Sequence, residues 1–154
     1  MTQDELNQLI TSHELWLSSG ANSGKRMHLE NKNIEGLVFS GNLSYSTYYA
    51  VGLTDCAFSP GTSLESSVFE DCAIFRCTFV ETVLTNIAMQ HSSMFSVTME
   101  DCIYSDTQEF RIYGSEIIDT AVYPEMGPKD GIRVAKGTII KGGNLKPHPL
   151  YDRK

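Results

Sequence analysis

The chain has 154 residues, of which 41% are hydrophobic and 20% are charged. This length and composition predict one folded domain and exclude a disordered chain, and no apolar run approaches the roughly 20 residues that a membrane-spanning helix needs. The net charge of -7 at pH 7 disfavours a broad phosphate-binding surface. We therefore expect no direct binding of nucleic acid and no membrane association.

The N-terminal residues predict an amphipathic helix over residues 3–18. Thr2 and Glu5 have the spacing of a capping box, and Gly20 is typical of a helix end. Between them, apolar and aromatic side chains recur at helical spacing: Leu6, Leu9, Ile10, His13, Trp16 and Leu17. We expect residues 1–26 to form this helix and a Gly/Ser-rich loop. The helix would cap the structure that follows or, alternatively, bind a partner or a second copy of the chain.

The first ten residues carry two acidic side chains and no basic one. This pattern lacks the positively charged start of a secretory signal peptide. We expect a cytoplasmic protein, with export by a route that needs no signal peptide left open.

A period of five residues runs through the middle of the chain. Starting at residue 64, every fifth residue is large and apolar: Leu64, Phe69, Ile74, Phe79, Leu84, Met89, Met94, Met99 and Tyr104. The residue two places before each is mostly small or β-branched, and single-residue shifts extend the rule N-terminally to sixteen units over residues 27–106. A period of five fits neither an α-helix nor a simple strand. It fits a solenoid in which each unit forms one short side, four units form a square coil, and the large and small positions point inward.

Residues 27–106 resemble the pentapeptide-repeat family, whose units carry Leu or Phe at the centre and a small residue two places before it. The resemblance implies an all-β solenoid, a right-handed quadrilateral β-helix of about four coils, here with an N-terminal capping helix and a non-repeat C-terminal segment. Members of the family range from topoisomerase-binding proteins to secreted effectors. The resemblance therefore predicts the fold and leaves the function open.

The cysteines have no metal-binding pattern. Cys56, Cys72, Cys77 and Cys102 lack the spacing of zinc ligands, and all four occupy the small inward position of a unit. We expect buried free thiols and neither a metal nor a cofactor. Asp71 and His91, one coil apart, are the nearest approach to an acid/base pair, and we interpret them as a surface ion pair. With no nucleophile or phosphate-binding motif, we expect a protein that is not an enzyme.

The five-residue register fails after Asp106. Residues 107–154 contain four of the five prolines and eight of the twelve basic residues. Residues 132–134 and 138–140 could pair as a hairpin around Gly137. We expect a C-terminal segment that caps the solenoid or, alternatively, docks onto another protein. A homodimer through a terminal segment is a further prediction.

The excess negative charge lies on the repeats, since residues 28–106 carry ten acidic and two basic side chains. A candidate acidic face consists of Glu65, Glu70, Asp71, Glu81, Glu100, Asp101 and Asp106. Such charge can simply keep a solenoid soluble, or it can mimic DNA and bind a type II topoisomerase such as DNA gyrase, as some family members do. Four coils would span only about 19 Å, which is about six base pairs. The family's gyrase binders also resemble one another in a helical C-terminal dimerising segment that this chain lacks.

An aromatic pair supplies a second candidate surface. Phe75 and Phe95 occupy outward positions one coil apart, with Arg76 beside the first. Stacked exposed aromatic side chains could anchor a protein partner, unless the C-terminal segment folds back over them. The sequence therefore predicts a non-catalytic scaffold that binds another protein, with the DNA-mimic inhibitor or protector as the alternative.

Overall fold

A computed structural model of the protein describes residues 1–106, 110–113, 115–118, 121–124, 132–134 and 139–142. It begins with helix α1, Gln3–Ser18, which confirms the predicted helix. The Thr2 hydroxyl accepts a hydrogen bond from the Glu5 backbone N–H, and the Glu5 carboxylate accepts one from the Thr2 N–H. These two bonds form the predicted capping box and satisfy two donors that the first helical turn would otherwise leave unpaired. Within the described residues, no helix has the length and apolar character needed to span a membrane.

Short strands, numbered in chain order, form three sheets in which every pairing is parallel. Sheet I contains β1 (His28–Glu30), β4 (Thr47–Tyr49), β7 (Val68–Glu70), β10 (Val83–Gln90), β13 (Ile103–Asp106) and β16 (Ala121–Pro124). Sheet II contains β2 (Asn33–Glu35), β5 (Gly52–Thr54), β8 (Ala73–Phe75), β11 (Ser93–Phe95), β14 (Phe110–Tyr113) and β17 (Ile132–Val134). Sheet III contains β3 (Val38–Phe39), β6 (Ala57–Phe58), β9 (Thr78–Val80), β12 (Thr98–Glu100), β15 (Glu116–Ile118) and β18 (Ile139–Lys141).

A fourth side closes each coil. On this side, Ser63 bridges both Asn42 and Val83. Strand β10 turns a corner: its residues 88–90 pair with β7, whereas its Val83 and Leu84 pair with Ile103 and Tyr104 of β13 on the fourth side. Along sheet II, Thr54, Phe75 and Phe95 pair in register, so equivalent residues of neighbouring coils are about twenty places apart. The structure is thus a four-sided parallel β-solenoid in which the repeats form about four coils, as predicted.

The interior is built from the central residues of the repeat. All nine residues from Leu64 to Tyr104 that were predicted to point inward are buried, and so are all four cysteines. Successive coils place like side chains on one another: the rings of Phe39, Phe58 and Phe79 stack with centroid distances of 4.7 and 4.5 Å. One continuous core therefore runs along the rod.

The corners between sides have a left-handed backbone. Positive φ values recur two residues after the central residue of most units, as at Ala50, Asp55, Arg76 and His91, with φ of 53°, 53°, 50° and 51°. The turn from one side to the next requires this conformation, which costs an ordinary L-residue roughly 1–2 kcal/mol. Small and polar residues prevail at these positions because Gly, Asn and Asp tolerate the left-handed region best.

Helix α1 covers the first coil. Leu6 and Ile10 enter the core, whereas Leu9, predicted on the same apolar stripe, lies at the surface with 36% exposure. The Gln3 side-chain amide donates to the Val38 carbonyl and accepts from the Val38 N–H, both at 2.8 Å. The amide thereby replaces a neighbouring strand at the edge of sheet III, which would otherwise be open to pairing with another chain.

His13 forms the buried joint between α1 and the first coil. Its Nδ1 accepts a 2.8 Å hydrogen bond from the Met27 N–H, so the proton lies on Nε2, which donates to the Ser44 carbonyl at 2.8 Å. The ring is fully buried, and this burial lowers the pKa of His13, with the hydrogen bond to Ser44 acting in the opposite direction. The joint therefore requires a neutral imidazole.

The parallel pairing continues beyond Asp106. Strand β17 pairs with β14 and β18 pairs with β15, so the predicted hairpin between these two segments is wrong. The five-residue register had hidden this continuation because Ser93 pairs with Arg111, 18 places on, and Arg111 with Arg133, 22 places on. Gly137 and much of the C-terminal segment lie outside the described residues, and the segment's role as a cap or a docking element stays a prediction.

Candidate interaction surface

The outer surface of sheet II carries the aromatic pair. Phe75 ends β8 and Phe95 ends β11, and the two residues pair directly in the parallel register. Their rings stack with centroids 4.7 Å apart and planes inclined by 13°. Phe75 is 39% exposed and Phe95 is half-buried. The structure therefore brings the two predicted residues together on the outside of the rod.

Small residues lie alongside the aromatic pair. Two places before Thr54, Phe75 and Phe95, the same strands carry Gly52, Ala73 and Ser93, also in register. A side chain at Gly52 would meet the Asn33 amide oxygen, because an added Cβ would lie 2.7 Å from it. A row of small side chains therefore lies next to the two stacked rings. We call the outer surface formed by Gly52, Thr54, Ala73, Phe75, Ser93 and Phe95 the aromatic face.

Arg76 borders the aromatic face at the next corner, where it is paired with an acid. Its Nε and a terminal guanidinium nitrogen donate to the two carboxylate oxygens of Asp55 at 2.8 and 3.2 Å. These hydrogen bonds lower the pKa of Asp55 and raise the pKa of Arg76. Arg76 was predicted as part of the patch beside Phe75, and the structure shows it as half of an exposed ion pair.

The described part of the C-terminal segment extends sheet II beside the aromatic face. Tyr113 of β14 pairs in register with Phe95, and β17 then pairs with β14. These strands therefore lie next to the pair and do not cross over it. The remaining residues of the segment, which could have folded back over the pair, lie outside the described residues.

The predicted acidic residues are spread over several corners. Glu70 and Asp71 lie between sheets I and II, Glu81, Glu100 and Asp101 lie at the end of sheet III, and Glu65 lies at the corner that leads into sheet I. Glu81 and Asp101 lie one coil apart at the same corner, but the other acids lie at different corners, so the set does not form one face. The side chain of Asp106 lies outside those described.

The other candidate groups are an exposed Asp–His pair and four buried thiols. Asp71 and His91 face each other across one coil with 3.9 Å between carboxylate oxygen and Nδ1, and both are exposed. The four thiols are free and buried, and burial raises the pKa of Cys72 and Cys102. A hydrogen bond between the thiols of Cys56 and Cys77 lowers the pKa of Cys56 to about 7 and raises the pKa of Cys77. Among the described residues, no three His, Cys, Asp or Glu side chains are grouped to hold a metal.

Sequence reasoning missed the Asp55–Arg76 pair and the exposure of Tyr49. The Asp55–Arg76 pair spans 21 residues, one more than a coil, because the extra residue at the Pro60-Gly61 turn intervenes. That shift was visible in the sequence and could have identified the pair. Tyr49 on sheet I is 40% exposed. It was missed because the residue one coil further along is Glu70 and not a second aromatic residue.

Comparisons with known proteins concern the fold. The chain is similar in structure to a pentapeptide-repeat protein, Rfr23 of the cyanobacterium Cyanothece 51142, with 13% identity, 84% of this chain and 97% of that chain covered, and a TM-score of 0.44. A trypsin-treated form of QnrB1, a plasmid-mediated fluoroquinolone resistance protein, overlaps with 11% identity, 77% and 70% coverage, and a TM-score of 0.31. No protein-family model and no curated protein matches the sequence. The five-residue repeat and the four-sided coils themselves define the fold as pentapeptide-repeat-like.

Proposed function

We propose that the protein is a non-catalytic interaction module that binds a protein partner through the aromatic face. The observation that carries the proposal is the stacked pair of Phe75 and Phe95 on the outside of a rigid rod. Exposed aromatic side chains with few rotatable bonds lose little entropy on binding and are enriched at interaction hot spots. The parallel strands beneath them fix both rings before a partner arrives, which lowers the cost of association.

Two grooves beside α1 do not suit general acid–base catalysis. Two grooves of about 520 Å³ follow α1, and each is lined by a single carboxylate, Asp4 in one and Glu14 in the other. Neither contains the paired acid and base that general acid–base chemistry requires. The aromatic face is lined by apolar and small side chains, which suits a macromolecular partner.

DNA mimicry has less support as a function. A mimic needs negative charge along one continuous surface, and the described acids of the predicted acidic face occupy three corners. Six strands spaced about 4.8 Å apart also span only about 24 Å. A supercoiling assay with DNA gyrase separates the two functions, because an interaction module leaves the enzyme's rate unchanged at micromolar concentrations.

Photo-crosslinking in the cell tests the proposal. A photoreactive phenylalanine analogue at position 75 should form adducts with a protein. The same analogue at Tyr49, which is exposed to the same degree on sheet I, should form few. Replacing Phe95 with Ser should reduce the adducts formed from position 75. Equal adducts from both positions, or none from position 75, would contradict the proposal.

A further inference from the structure

Polar side chains of α1 hold the helix to backbone groups of the first coil. The Gln3 amide bonds to both backbone groups of Val38. The Glu14 carboxylate accepts a 3.0 Å hydrogen bond from the Asn42 N–H. His13 supplies the buried contact, and an imidazole is the side chain whose charge changes just below neutral pH. Protonation of His13 is therefore the step that can loosen this attachment.

The hydrogen bonds of His13 admit only the neutral ring. Its Nδ1 accepts from the Met27 N–H and its Nε2 donates to the Ser44 carbonyl, both at 2.8 Å. A protonated imidazole has two donors and no acceptor, so its Nδ1–H would point at the Met27 N–H. Burying a charged ring with an unpaired donor is costly. The ring therefore has to leave this site when it takes up a proton.

The next coil fixes both backbone partners of the imidazole. The Met27 carbonyl accepts a 3.1 Å hydrogen bond from the Thr47 N–H. The peptide group that carries the Ser44 carbonyl also carries the Tyr45 N–H, which donates to the Glu65 carbonyl at 2.9 Å. Turning either residue to suit a protonated ring would break a hydrogen bond between coils. The helix is therefore the part that moves.

Among the described residues, two charged side chains act on the imidazole. Glu14 of the same helix favours the protonated ring, and Arg26 of the following loop opposes it. Met27 and Ser44, which bond to the ring from the first coil, are uncharged. Burial has the largest effect and lowers the pKa of His13. The docked ring therefore stays neutral at pH values at which a free imidazole is largely protonated.

The loop after α1 packs on the helix and can move with it. The Ala21 N–H donates to the Trp16 carbonyl at 2.8 Å, and the Lys25 N–H donates to the Ser12 carbonyl at 3.1 Å. Gly24 has a φ of 74° and lies so close to the Ser12 carbonyl that a side chain would collide with it. Helix and loop thus form one unit, which joins the first coil directly after this loop.

We propose that α1 is an acid-released cap: protonation of His13 separates the helix and its loop from the first coil while the coils stay folded. The inference concerns the end of the rod and does not depend on the proposed function of the aromatic face. Release uncovers the core beneath Leu6 and Ile10 and frees the Val38 backbone at the edge of sheet III. Acid thus converts a closed sheet edge into one that is open to pairing.

The size of the effect follows from the titration of the released ring. With a pKa of about 6.5 for a free imidazole, the neutral fraction falls about 25-fold between pH 7 and pH 5. The docked ring stays neutral over this range, so the equilibrium constant for release should rise by up to about 25-fold.

Amide hydrogen exchange of the full chain at pH 7 and pH 5, corrected for the pH dependence of chemical exchange, tests the inference. A helix as short as α1 is marginal on its own in water, so release exposes the Ile10 amide. Its protection should fall by about 25-fold on acidification. At both pH values it should stay below the protection of Thr78 and Ser93, whose N–H groups donate to neighbouring coils. Protection at Ile10 that does not change with pH, or that equals the protection of Thr78 and Ser93, would overturn the inference.

Two variants identify the group responsible. His13→Gln can still hydrogen-bond but does not titrate, so the protection of Ile10 should be similar at pH 7 and pH 5. Gln3→Ala removes a contact of the same helix that carries no charge. It should lower the protection of Ile10 by the same factor at both pH values and keep the pH-dependent fall. A fall that persists in His13→Gln, or that disappears in Gln3→Ala, would exclude His13 as the trigger.

Discussion

The N-terminal end of the rod and the aromatic face both contain large apolar side chains, which are buried at the end and partly exposed on the face. At the end, Leu6 and Ile10 of α1 bury the first coil, and Gln3, His13 and Glu14 hydrogen-bond to its free backbone groups. On the side, Phe75 remains 39% exposed beside Phe95, with the described C-terminal strands lying next to the pair. Helix α1 therefore covers the open edge of the first coil, through which a solenoid could aggregate. The apolar surface around Phe75 stays accessible. This contrast makes the side, and not the end, the candidate for binding.

Large-to-small substitutions should separate the two regions most clearly. Leu6→Ala should lower the free energy of unfolding by about 2–5 kcal/mol, because it opens a cavity in a fully buried site. Phe75→Ser should lower it by about 1 kcal/mol or less, since the ring is partly exposed and loses mainly its stacking contact. Urea denaturation measures both values. Equal losses from the two variants would mean that Phe75 is part of the core, and the comparison would fail.

The buried imidazole should make the capped end sensitive to pH. Burial lowers the pKa of His13 in the folded protein, whereas an unfolded imidazole has a pKa of about 6.5. Below that pH the unfolded chain binds more protons than the folded one, so the free energy of unfolding should fall as the pH drops from about 7.5 through 6.5. Protonation of His13 places no charge on the aromatic face. Crosslinking from position 75 should therefore vary less over this pH range than the free energy of unfolding does.

His13→Gln tests the source of this pH dependence. Gln can donate and accept hydrogen bonds but does not titrate, so the variant should be less stable at pH 8 by about 1–3 kcal/mol and should lose little more down to pH 5.5. A parent and a His13→Gln variant with the same slope would show that another group is responsible.

The helix cap should have the smallest effect. Thr2→Ala removes one half of the capping box and should cost about 1 kcal/mol, mostly as fraying of α1. Amide hydrogen exchange should become faster in the first turn of α1 and stay unchanged at Phe75 and Phe95. Faster exchange in β8 would indicate that the end and the side are coupled, which the separate packing of the two regions does not predict.

The repeat could be predicted from the sequence because each unit obeys the same local rule. Large residues at one position and small residues two places before it identify the inside of every coil from Leu64 to Tyr104. The twenty-residue spacing of Phe75 and Phe95 then predicts their stacking. The helix could be predicted equally well from its capping box, because both signals lie within a few neighbouring residues.

The remaining features depend on coil lengths and end geometry that no local pattern encodes. Arg111 and Arg133 share a register with Ser93 only because the last described coils contain 18 and 22 residues instead of twenty. The contacts of His13 require knowing how α1 lies across the first coil, so the residue looked like part of an apolar stripe. The acidic side chains looked like one face because charge was counted along the chain and not by corner.

The central claim is that the aromatic face is a binding surface for a protein partner. Crosslinking from a photoreactive phenylalanine analogue tests it most directly, with position 75 compared against position 49. The account predicts adducts from position 75 that decrease when Phe95 is Ser, and few adducts from position 49, which is exposed to the same degree on sheet I. Equal yields from the two positions, or none from position 75, would contradict it.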